Sequence, residues 1–169
     1  MKLTIYRVFS FLLLPMAILF SISFLLFLRA AFSNPALFIP LFLIGCISVY
    51  SFASLNFLIR GIDGKKMLGR STKDWLIANA IVSLIYSLLA IFQRVMLALN
   101  PDTVEDIATQ AKTNAGDALK ATDAQIIQSI NAASYFLLIY GIVLFVHILL
   151  SFQYIKNYQY LFQNAEKKR

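Results

Sequence analysis

From Val8 to Leu28 the chain runs twenty-one residues without a charged side chain, and apolar stretches of similar length recur at about 36–59, 75–94 and 132–155. Few folds tolerate such runs. A bilayer core about 30 Å thick is crossed by roughly 20 apolar residues at about 1.5 Å rise each. The four stretches together fill more than half of the 169 positions. Hydrophobic residues make up 60% of the chain and charged ones 14%, where soluble domains hold roughly 45–50% and about 25%. A soluble fold would have to hide four helices that are apolar all round, with only three polar connections to cover them. The expectation is an all-α integral membrane protein of one domain: an antiparallel four-transmembrane-helix bundle with a small helical extracytoplasmic cap.

The net charge of +7 is a topology signal. Lys2 and Arg7 precede the first span, Arg60, Lys65, Lys66, Arg70 and Lys73 fill the 60–74 connection, and Lys156, Lys167, Lys168 and Arg169 follow the last span. Those eleven of fifteen cations belong to one side, and Arg29, Lys112 and Lys120 to the other, with Arg94 near the boundary. The positive-inside rule therefore puts both termini, the 60–74 loop and the 156–169 tail in the cytoplasm. Nucleic acid is not an expected partner, because the cations flank apolar runs and form no amphipathic basic face. The five loop cations are candidate contacts for anionic lipid, each worth about 1 kcal/mol near the surface. Gly64-Lys65 lacks the spacing of a phosphate-binding loop.

The first span is too long for a signal peptide and is expected to stay uncleaved. Cys46, the single cysteine, excludes an internal disulfide, and no Asn-x-Ser/Thr sequon occurs. A bacterial inner membrane suits both facts.

Local signals set the connections. Asn34-Pro35 ends one helix and opens the next. Pro15 and Pro40 fall inside spans and predict kinks. Gly61 suits the end of span two, Asp63-Gly64 a turn, and Ser71 with Asp74 a capping box for span three. The 100–131 connection carries net charge −3 from Asp102, Glu105, Asp106, Asp117 and Asp123 against Lys112 and Lys120. Thr103 with Asp106 opens a helix there with Val104, Ile107, Ala108, Ala111 and Ala115 on one stripe, and Gly116 breaks it. A second capping box, Thr122 with Gln125, starts a helix that runs on into span four. Trp75, Tyr154, Tyr158 and Tyr160 fit a cytoplasmic interfacial belt.

Chemistry inside a membrane is sought among its polar groups. The spans carry no Asp or Glu at mid-depth, which argues against a carboxylate-coupled antiporter. His147 is the chain's only histidine, too few for bis-histidine haem, and zinc would need further ligands. No cofactor or metal is expected. Heptad spacing groups Ala133, Tyr140, His147 and Tyr154 with Leu137, Leu144, Ser151 and Tyr158 in one seam, which turns His147 toward protein. Asn79, Ser83, Tyr86, Ser87, Ala90 and Arg94 share about 100° of span three. Ser10, Ala17 and Ser21 in span one, and Gly45, Ser48, Ser51 and Ser54 in span two, are small residues that let helices approach. The candidate polar cluster is therefore Asn79, Ser83, Tyr86, Ser87, Arg94, Tyr140, His147 and Ser151.

Two functions fit. The favoured one is a non-enzymatic accessory or assembly subunit acting through contacts with lipids and with other membrane proteins or itself. The alternative is a small oligomeric transporter or channel using the polar stripe of the third and fourth spans.

Overall fold

The computed structural model describes residues 2–115 and 121–162, except the side chains of residues 2 and 115. Gly116, Asp117 and Lys120 of the outer connection, and Lys167, Lys168 and Arg169 of the tail, lie outside the described residues. The chain there is helical: α1 (Lys2–Ser33), α2 (Phe38–Asn56), α3 (Arg70–Leu99), α4 (Asp102–Ala115) and α5 (Asp123–Asn157). Four segments, Leu3–Ser33, Pro35–Asp63, Arg70–Leu99 and Asp123–Asn157, are long and apolar enough to cross a membrane. Each outruns the apolar stretch that reveals it, because backbone hydrogen bonding continues where polar residues begin.

The chain divides into two compact units, residues 1–86 with 143–169, and residues 87–142, so that α3 and α5 contribute to both. In the first unit α1 and α2 pack as a hairpin. Asn34 has an extended backbone, its Oδ1 accepts from the Ala36 N–H, and Pro35 opens a short 3-10 turn to Leu37. This is the predicted break. Pro15 lies inside α1, which continues through it, whereas Pro40 is the third residue of α2. A first-turn N–H has no partner in the helix, so Pro40 costs α2 no hydrogen bond and gives no reason for a kink there.

The cytoplasm-directed end expected of span two differs from the prediction. Gly61 does not stop the helix, which widens into a π-helical turn over Phe57–Asp63. The Gly64 N–H donates to the Ile59 carbonyl and the Lys66 N–H to the Arg60 carbonyl. Gly64 is needed for space, since a Cβ there would lie 2.8 Å from the Arg60 oxygen. The left-handed residue of this turn is Lys65, at φ 49°. Gly61 serves packing: a Cβ would meet Leu68 Cδ1 at 2.9 Å and Phe57 Cδ2 at 3.1 Å. Into that notch comes the 3-10 turn Gln159–Phe162. The Leu68 N–H donates to the Leu161 carbonyl at 2.6 Å, and Phe162 stacks on Phe57. The expected capping box at Ser71 is displaced, because α3 starts two residues earlier, at Arg70 with Gly69 in the cap position, and its first turn closes from the Thr72 N–H to the Gly69 carbonyl.

In the second unit the Thr122–Gln125 capping box forms in both directions, Thr122 N–H to Gln125 Oε1 and Gln125 N–H to Thr122 Oγ1. The helix then runs unbroken to Asn157. On α4 the stripe is narrower than its spacing suggests: Val104 and Ala108 are buried, while Ile107 and Ala111 face outward. Only one i, i+4 pair of this short helix is covered. At Gly141 a Cβ would lie 3.3 Å from the Ser87 carbonyl, so α5 and α3 approach closely there.

Candidate functional site

His147 is completely buried in the first unit. Its Nε2 lies 2.9 Å from Ser10 Oγ on α1, and its Nδ1 lies 2.7 Å from the Tyr50 hydroxyl on α2. The protons can be counted. Ser10 Oγ donates to the Tyr6 carbonyl one turn back, which commits its single hydrogen, so Nε2–H must donate to Ser10. In the neutral ring Nδ1 is then the acceptor and Tyr50 the donor. The tautomer follows from this network. The Ser151 hydroxyl stands between the Tyr50 oxygen at 2.8 Å and the Tyr6 hydroxyl at 3.2 Å. Both ring nitrogens are thereby engaged by hydroxyls.

Aromatic rings close the site. Tyr6 stacks on the imidazole with centroids 4.7 Å apart and planes 4° from parallel. Tyr50 meets the imidazole edge-on, and Tyr154 lies tilted 4.9 Å from Tyr6. Tyr154 therefore packs on protein in this cluster, while Trp75 and Tyr160 are exposed. Side chains from α1, α2 and α5 meet here. Hydrogen bonds between helices in lipid are worth about 0.6 kcal/mol each.

The sequence pattern found one side of this cluster and missed the other. His147 and Ser151 both belong to the predicted cluster and do come together, but their partners Tyr6, Ser10 and Tyr50 come from helices whose sequence shows only small-residue spacing. The signal was present in the i, i+4 pair Tyr6 and Ser10, and in Tyr50 inside the serine run. On α3, Asn79, Ser83, Ser87 and Ala90 are buried and Tyr86 and Arg94 half-buried, so the stripe faces protein. Leu76 and Ala80 join it. Asn79 spends its amide on the Trp75 carbonyl of its own helix, while Ser83 Oγ is buried without a hydrogen-bond partner among the described residues. In the second unit Tyr140 is buried and Arg94 stacks over the Tyr135 ring at 3.9 Å. In the seam on α5, Tyr140, Leu144, His147, Ser151 and Tyr154 are buried but Ala133 is exposed, since Ser134 takes the covered position.

Around the Leu161 notch, Arg60, Lys65, Lys66 and Arg70 are exposed and Lys73 half-buried. Asp63 pairs with Arg7, joining the ends of α1 and the π-turn. Among the described residues no three His, Cys, Asp or Glu side chains gather as metal ligands. Models of known protein families, curated proteins and solved structures yield no significant match to the chain.

Proposed function

We propose that this chain is a multi-pass integral membrane protein of four antiparallel spans, termini and 60–74 loop cytoplasmic, that acts as a non-enzymatic accessory or assembly subunit. The outward faces support lipid as the solvent. Leu26, Ile39 and Ile139, among many, are more than 60% exposed, a density of bare apolar surface that water does not tolerate. The charge distribution supports the orientation, and a bacterial inner membrane remains the compartment that fits the absent sequons and lone cysteine.

The observation that carries the functional reading is the closure of the His147 site. A carrier or an enzyme works through a polar group that a substrate can reach, whereas His147 is 0% exposed and both its nitrogens bond to protein hydroxyls. Its chemistry is spent on holding helices together. What this protein offers to others is then its surface: apolar helix faces, an acidic outer helix and a cationic loop suited to anionic headgroups.

Co-purification of the full chain in mild detergent, followed by mass spectrometry, tests this. A stoichiometric membrane partner is the expected result. A homo-oligomer that conducts or transports in liposomes on its own would replace this reading with the small-transporter alternative.

A further inference from the structure

In the second unit a cleft of about 420 Å³ opens between the end of α3, the start of α4 and the start of α5. Its polar lining is Arg94, Glu105 and Asn131, and its apolar lining includes Leu97, Val104 and Ile127. The two ion pairs among the described residues are Arg7–Asp63 and Lys112–Asp123. Arg94 and Glu105 therefore line one cleft with opposite charges but do not pair with each other. The Arg94 guanidinium carbon lies 3.9 Å from the centroid of the Tyr135 ring, a cation–π contact that holds the charge beside the cleft while its N–H groups remain donors suited to two oxygens of one phosphate.

We propose that this cleft binds the headgroup of phosphatidylethanolamine, phosphate to Arg94 and ammonium to Glu105 with Asn131 as a further polar partner. A zwitterion matches two separated, opposite charges, and a lone anion would leave Glu105 repelling it. A choline headgroup has no N–H to donate to the carboxylate, and no aromatic side chain among the described residues lines the cleft to attract it. Glycerol headgroups lack the amine. Lipid fits better than a soluble aminophosphate because Val95, Met96 and Leu99, exposed on the same turns of α3, offer acyl chains an apolar surface. The inference rests on the membrane reading above.

The test is native mass spectrometry of the delipidated full chain with phosphatidylethanolamine, phosphatidylcholine, phosphatidylglycerol and soluble glycerophosphoethanolamine. Retention of the ethanolamine lipid about tenfold above the other two lipids is expected, as one charged hydrogen-bond contact allows. Arg94→Gln should lose that retention, Arg94→Lys recover part of it, and Glu105→Gln erase the preference over the glycerol lipid, all with wild-type helicity. Equal retention of the three lipids, an unaffected Glu105→Gln chain, or soluble headgroup competing as well as the lipid would overturn the proposal. A chain recovered from the aqueous fraction would instead overturn the membrane reading, so the two failures are told apart.

Discussion

At the scale of single residues, Tyr50 outweighs Tyr6. The Tyr50 hydroxyl serves both His147 Nδ1 and Ser151 at 2.7 and 2.8 Å, while the Tyr6 hydroxyl holds one 3.2 Å bond to Ser151. Tyr50→Phe leaves the buried His147 Nδ1 without a partner and Ser151 with only its bond to Tyr6, and is expected to destabilise by about 1–3 kcal/mol. Tyr6→Phe keeps the stacked ring and should cost about 0.6 kcal/mol. Thermal melting in one detergent gives the ranking, and the reverse order would contradict the placement of Tyr50 at the centre of this network. The inward turn of His147 was legible because heptad spacing reports a face directly. The identity of its partners was not, since tyrosine is amphipathic and fits an interface as well as a core; Tyr154 shows the ambiguity.

Among elements, the connection after α2 separates conformation from space. Gly64→Ala pushes a Cβ against a backbone carbonyl that cannot yield, and Gly61→Ala against Leu68 and Phe57 side chains that can shift. Gly69 has nothing within 4 Å. Melting temperature is expected to fall most for Gly64→Ala, by about 1–3 kcal/mol in stability for Gly61→Ala as is typical of overpacking, and least for Gly69→Ala. At the other end, Thr122→Ala removes one arm of the capping box and should cost about 1 kcal/mol, read as faster amide exchange over residues 123–126 with α3 unchanged. That box was legible in the sequence because both of its bonds are local. The π-turn was not: nothing in Phe57–Asp63 forbids an ordinary α-turn, and the notch that Gly61 leaves has meaning only once Leu161 and Leu68 are beside it.

For the molecule as a whole, the presence of four long helices was legible from hydropathy alone, but their full length was not, because polar end turns continue each helix beyond its apolar run. The placement of α3 against its neighbours was legible only as a polar face, since a stripe names a side and not a partner. Orientation is the property that a labelling experiment can decide. Cys46 is buried, so single substitutions Lys66→Cys and Thr109→Cys report their own positions. A membrane-impermeant maleimide on intact spheroplasts should label the variant at 109 at once, and the variant at 66 only after permeabilisation; the opposite pattern would invert the topology.

The bond from Leu68 to Leu161 has an implication for biosynthesis. On the membrane reading proposed above, the basic loop leaves the ribosome early and the residue that fastens it arrives only after the last span, so insertion proceeds while that loop is still untethered. Its cations are thus at liberty to engage headgroups during the very interval when orientation is being decided, and are confined only once the decision is past.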